Sequence, residues 1–221
     1  MKAKEKYVPA LRFHFLTKWF DFFLATTFPE KKIKQAIINQ CGFGSTARSK
    51  VLDFGCGTLT LSIMAKEQYP NLEITGLDID NSIIEIAKSK LDRKPFNIQL
   101  DKYDGGRLPY TDNEFNVVYS CLVFHHINDE NKVSGFKEIL RVMTPGGKLC
   151  LADFGKPRGF FRRVVFALFR RFDGEKNTRS NARGLLSQLI QDAGFVNIKE
   201  PMAVNTVFGT VVFIDAIKQV N

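Results

Sequence analysis

Two carboxylates close short apolar runs in a pattern that could hold a nucleoside. Asp53 lies in Val51-Leu-Asp-Phe-Gly-Cys-Gly-Thr58, a run ending in an acid and two glycines, and Asp78 lies in Gly76-Leu-Asp-Ile-Asp80. Glycines after a strand let a ligand approach the backbone closely, and an acid closing the next strand can hold both hydroxyls of a ribose with its two acceptor oxygens. The loop alone is a weak signal, because Thr60 stands where a dinucleotide fingerprint would have its third glycine. The acids also have a plainer role open to them, since Asp commonly caps turns at strand ends. A further piece of chemistry is the pair His125-His126, which follows another apolar run. An imidazole there could take a proton from a substrate, or could anchor its loop through backbone hydrogen bonds.

The elements that must position these groups follow from alternation. Short β-branched runs at residues 50–54, 73–77, 97–101, 116–121 and 148–153 read as strands, and helix-spaced apolar positions fill residues 59–68, 81–91 and 130–141. Strand and helix in turn predict an α/β fold with a parallel, doubly wound sheet. After Asp153 the pattern changes to a basic, Phe-rich segment (158–172), a helix near 181–193, and two strands near 196–201 and 207–216. No helix separates those last two, so the sheet should end antiparallel.

Composition bounds the class. With 221 residues, 44% hydrophobic and 25% charged, the chain suits one globular core and excludes a disordered, collagenous or multi-span chain. The 32 basic residues against 23 acidic give +9, which favours anionic partners without naming one. Cys41, Cys56, Cys121 and Cys150 form no C-x-x-C pair, which suits a reducing, cytoplasmic setting; Cys56, Cys121 and Cys150 read as small buried hydrophobes, and no metal site is signalled. Pro9, Arg12, His14 and Lys18 break up the first twenty residues, so no secretory leader is expected there, and no run reaches the length of a spanning helix.

Taken together, VLDFGCG, GLDID, YDGGRLPYTDNEFNVVYS, LVFHH and EILRVMTPGGKLCLADF resemble class I S-adenosylmethionine-dependent methyltransferases, in the small-molecule branch that includes the ubiquinone and menaquinone enzymes. The resemblance is strong over residues 50–155 and looser toward the C-terminal strands. It implies a Rossmann-like, seven-stranded sheet, mostly parallel with an antiparallel C-terminal strand, and S-adenosyl-L-methionine as cofactor. It puts Asp53, Gly55, Cys56 and Gly57 around the methionine portion, Asp78 on the ribose, and Asp104 beside the adenine amine. Gly105 would offer its N–H to the ring, and Ile79 and Leu122 would supply apolar contact. His125 and His126 are the catalytic candidates. Leu59 departs from the family, which usually has a glycine there, and Phe20-Asp21 is a short match to a Tyr-Asp pair in a helix covering the cofactor.

The same resemblance divides a single methyltransferase domain over 1–221 into an N-terminal helical arm (1–45), a cofactor-binding core (46–155), a Phe/Arg-rich lid insertion (156–180) and a C-terminal helix with a strand pair (181–221). Arm and insertion would roof the acceptor site, and both are rich in Phe: Phe13, Phe15, Phe20, Phe22, Phe23 and Phe28 in one, Phe160, Phe161, Phe166, Phe169 and Phe172 in the other. On a helical wheel Phe161, Val164, Val165, Leu168 and Phe172 share a face, with Arg163 and Arg170 opposite and Arg162 and Arg171 flanking. A lid that packs this Phe face on the domain is the first expectation, and peripheral contact with an anionic membrane the second. The expected acceptor is a small, apolar or lipid-like molecule, such as a quinone precursor. RNA methylation is disfavoured, because Ser120-Cys-Leu-Val-Phe124 replaces the Asn/Asp-Pro-Pro-aromatic motif of base-amine enzymes and no proline precedes a cysteine. A cofactor-binding module without turnover is the remaining alternative. Oligomeric state is not readable from the sequence.

Overall fold

The computed structural model describes residues 28–44, 48–173 and 176–220. Seven strands form one sheet: β1 (Lys50–Phe54), β2 (Glu73–Asp78), β3 (Gln99–Lys102), β4 (Phe115–Cys121), β5 (Met143–Phe154), β6 (Val196–Asn205) and β7 (Thr210–Ile217), in the order β3-β2-β1-β4-β5-β7-β6. The first five run parallel, and β7 lies antiparallel between β5 and β6. This is the expected seven-stranded, doubly wound sheet, mostly parallel with an antiparallel C-terminal strand. The strand order reverses between β1 and β4, and a crevice opens at the carboxyl edge of a sheet at such a point.

The central strands are apolar because both faces are covered. Val51 points to one side, where Ile33, Ile37 and Ile38 of α1 (Glu30–Cys41), Leu61 of α2 (Thr60–Gln68) and Ala87 of α3 (Asn81–Leu91) pack. Leu52 and Phe54 point to the other, against Phe136 and Ile139 of α4 (Asp129–Val142) and Ile190 of α7 (Leu186–Asp192). Asp80 caps α3 as its sequence suggests, accepting from the Ser82 and Ile83 N–H groups.

The structure corrects the sequence reading in three places. The helix expected near 181–193 is two, α6 (Arg179–Arg183) and α7, separated by a left-handed turn at Gly184. β5 starts five residues early, because Met143 already pairs with Phe115 before a register shift. The Phe/Arg segment does form a helix, α5 (Phe160–Asp173), but Phe161, Val164 and Leu168 face solvent while Phe166 turns inward. Phe161, Val164 and Leu168, the exposed described residues of that face, therefore do not pack on the domain as expected. His14, Phe13, Phe15, Phe20-Asp21, Phe22 and Phe23 lie outside the described residues, as do the side chains of Phe169, Arg170, Arg171 and Phe172.

Candidate active site

The carboxyl ends of β1, β2, β4 and β5 gather the groups singled out in the sequence. Asp53 is buried near the end of β1, and its Oδ2 accepts a 2.6 Å hydrogen bond from Ser62 of α2. The Tyr119 hydroxyl of β4 lies 2.8 Å from the same Ser62 oxygen. Ser62 has one proton to give, so donation to Asp53 leaves Tyr119 as donor to Ser62. Burial pushes the Asp53 carboxyl up to about 7, with the Ser62 hydrogen bond and the Lys34 charge opposing.

The loop after β1 is built by close approach. A Cβ on Gly55 would sit 2.4 Å from Val123 Cγ2, so only glycine fits beside the β4 loop. A Cβ on Gly57 would meet nothing within 4 Å, which marks open space above the loop. The Gly57 N–H donates to Asp78 Oδ2 at 2.8 Å, and the Asp80 N–H donates to Asp78 Oδ1 at 3.0 Å. Each Asp78 oxygen keeps a further lone pair for a hydroxyl. Cys56 is buried, with its thiol pushed up by burial and by the charges of Asp53 and Asp78, so it contributes backbone rather than a nucleophile.

Leu59 adopts a left-handed conformation (φ 64°) that a glycine would hold without strain, yet its side chain is fully buried. Lys90 of α3 braces the same loop, donating to the Thr58 carbonyl at 3.1 Å and to Thr60 Oγ1 at 2.6 Å.

On the β2–β3 side, Ile79 Cδ1 lies 3.3 Å from where a Cβ on Gly105 would stand, so Ile79 and Gly105 adjoin at the surface. Asp104 is exposed and accepts from the Gly106 N–H at 3.1 Å. Burial first, and then the charges of Asp78 and Asp104, push the Tyr103 hydroxyl up to about 12.

Beyond β4 the chain turns sharply. Leu122 is left-handed (φ 60°), and a 3₁₀ turn, Phe124–His126, follows. Asp153, buried at the end of β5, organises this turn: its Oδ2 accepts the Val123 and Phe124 N–H groups at 3.0 and 2.7 Å, and its Oδ1 lies 2.8 Å from His125 Nδ1. Asn181 of α6 donates to the Phe154 carbonyl at 2.7 Å and, more distantly, to Asp153 Oδ1. Burial works against the Asp153 charge, but the His125 ring and the Phe154 N–H hold its carboxyl below the usual carboxylate range. With Asp153 ionised, His125 Nδ1 carries the proton shared between them. His126 is exposed, its ring centroid 3.9 Å from that of His125.

A wall of rings continues from the imidazole: His125 to Phe154 at 5.0 Å, Phe154 to Phe166 at 5.6 Å, and Phe28 at 6.4 Å from Phe154 and 6.5 Å from Phe208. The sequence reading missed Asp153, Asn181, Ser62 and Tyr119 as site residues. Asp153 did carry a signal, for Leu149-Cys-Leu-Ala-Asp153 is an apolar run closed by an acid, the form of Asp53 and Asp78. Among the described residues no cluster of His, Cys, Asp and Glu could hold a metal ion, and no helix is long and apolar enough to cross a membrane.

Residues 51–147 match the family model described as a methyltransferase domain. The demethylmenaquinone methyltransferase of Deinococcus radiodurans is 35% identical over 120 residues, 54% of this chain and 49% of the relative. That of Thermus thermophilus is 32% identical over 126 residues, 57% of this chain and 56% of the relative. The chain thus spans about half the length of these two relatives. A solved S-adenosylmethionine-dependent methyltransferase from Methanosarcina mazei superposes with a TM-score of 0.67 at 18% identity, over 84% of this chain and 98% of that one, a likeness of fold. Over residues 51–147 the chain is thus similar to methyltransferase domains, it resembles demethylmenaquinone methyltransferases over about half its length, and it shares the fold of S-adenosylmethionine-dependent methyltransferases.

Proposed function

We propose that this chain transfers the sulfonium methyl group of S-adenosylmethionine to a small, apolar, lipid-like acceptor, with His125 as general base. The observation that carries this reading is the Asp153–His125 pair at the carboxyl edge of the sheet, beside the loop of Asp53, Gly57 and Asp78. Bound there, the cofactor supplies an electrophilic methyl group. Asp53 and the backbone of Gly55, Cys56 and Gly57 hold its methionine portion, aided by Leu122, and Asp78 holds the ribose. Ile79, Asp104 and Gly105 hold the adenine.

The chain's own contribution is alignment, dryness and a proton acceptor. Asp153 fixes His125 through Nδ1, and the imidazole is the group placed to accept the proton that a carbon acid or phenol gives up as its new bond to the methyl carbon forms and the methyl–sulfur bond breaks. His126, its ring tilted against that of His125, belongs to the acceptor side. The rings of Phe28, Phe154, Phe166 and Phe208 favour an apolar acceptor, and the names of the relatives support a quinone precursor. Such acceptors dissolve in membranes, so the reading carries peripheral membrane association with it.

The test incubates the protein with methyl-labelled cofactor and a whole-cell extract divided into organic-soluble and aqueous fractions. Label is expected in the organic phase. His125→Asn should lower turnover by about a hundredfold to ten-thousandfold while cofactor affinity holds. Label confined to the aqueous phase overturns the apolar acceptor, and ribonuclease-sensitive label would return RNA as substrate. Cofactor binding without any transfer would mark a binding module.

A further inference from the structure

Helix α5 turns to solvent the kind of surface that ordinarily faces a core. Phe160, Phe161, Val164 and Leu168 are 83%, 71%, 45% and 60% exposed, and at ~100° per residue they cover about a third of the helix circumference. Phe166, on the opposite side, is 1% exposed and holds the helix to the domain through Phe154. At the start of the helix a cavity of about 590 Å³ is lined by Lys156, Arg158, Arg163 and Arg183, with Glu200 as the acid in its wall. Among the described residues none of these four cations is ion-paired with a carboxylate.

A bare apolar face and four like charges around one cavity are both unfavourable in water, and one partner relieves both. We propose that α5 and the cationic cavity at its base form a docking surface for an anionic phospholipid bilayer. The outward rings enter the boundary between headgroups and acyl chains, while the exposed Arg163, which lies between the ring face and Phe166 around the helix, reaches headgroup phosphates beside it. Lys156, Arg158 and Arg183 add charge at the same end. The inner side of α5 then faces the ring wall that leads through Phe166 and Phe154 to His125. An apolar acceptor leaving the bilayer would meet the site at its rim, a consequence that rests on the acceptor reading above; the docking itself does not.

The test sediments the 221-residue chain with vesicles of phosphatidylcholine alone and with phosphatidylglycerol added. Two variants accompany it: Arg158→Gln/Arg163→Gln/Arg183→Gln, and Phe160→Ser/Phe161→Ser. Cofactor binding by calorimetry verifies that each variant is folded. The wild type should sediment with the anionic vesicles and stay in solution with the neutral ones. The charge variant should lose about a hundredfold in vesicle affinity, roughly fivefold per cation, and the ring variant should also lose binding. Equal sedimentation of all three proteins, or no sedimentation of the wild type, overturns the proposal. So does a ring variant that binds normally while inorganic phosphate displaces the vesicles, which would make the cavity a site for a soluble anion. Vesicle binding together with label confined to the aqueous phase would retain the docking surface and reject the apolar acceptor.

Discussion

Asp53 is fully buried with its carboxyl pushed up to about 7, so near neutral pH much of it is protonated. The folded value lies above the unfolded 3.8; the stability linked to this proton is therefore fully present below about 4 and is lost as pH rises through about 7. Asp53→Asn should remove that decline, as read by thermal denaturation from pH 4 to 8. The ammonium group of a bound cofactor favours the ionised carboxylate, so cofactor affinity should fall about tenfold per pH unit below 7 in the wild type and stay flat in Asp53→Asn. Calorimetry across pH 5 to 8 checks this. Asp78→Ala should weaken cofactor binding by about 1–3 kcal/mol, since it removes a charged acceptor that also holds the Gly57 N–H. Unchanged affinity would reject the ribose role. Asp53 and Asp78 were legible because each closes an apolar run next to glycines. Ser62 and Tyr119 were not, because a hydroxyl on a helix face or within a strand has no motif around it. The role of Asp153 depends on which loop β5 meets, and its partner His125 lies 28 positions away.

The glycine-to-leucine departure at the start of α2 is decided by packing. Left-handed backbone costs a non-glycine residue about 1–2 kcal/mol, whereas truncating a buried leucine typically costs about 2–5. Leu59 fills the space over Gly76, where a Cβ would stand 2.8 Å from Leu59 Cδ1. Leu59→Gly should therefore lower stability by about 1–3 kcal/mol, the balance of those two effects, measured by denaturant unfolding; a gain would show that strain dominates. Lys132 of α4 plays a similar part for the insertion. It is buried, donating to Ser180 at 2.7 Å and to the Asn177 carbonyl, while Asn177 donates to the His126 carbonyl at 2.9 Å. Lys132→Met should cost about 1–3 kcal/mol of stability by stripping those acceptors of their donor, and should raise the acceptor KM more than it lowers kcat. Periodicity located α3 and the central strands, where local pattern and burial agree. It ran α6 and α7 together because nothing in Asn181–Ala193 except Gly184 distinguishes one helix from two.

Across the molecule, the parallel sheet followed from alternation, while the facing of α5 did not. A wheel names an apolar face without saying which way it points. Here a single ring on the other side decides: Phe166 packs where a Cβ on Gly209 would come within 2.9 Å of it, and Phe154 closes over it. The +9 charge likewise gained meaning only when four of its cations met around one cavity. The sheet order has a consequence for how the chain is made. β7 lies between β5 and β6, so the strand that emerges later from the ribosome must insert beside one already waiting. Until Thr210–Ile217 has emerged, the apolar edge of β5 is bare and Val196–Asn205 has no neighbour in the sheet. Between the emergence of β6 and that of β7 the nascent chain thus has its five parallel strands able to pair and an open β edge beside them, when a chaperone would protect it most.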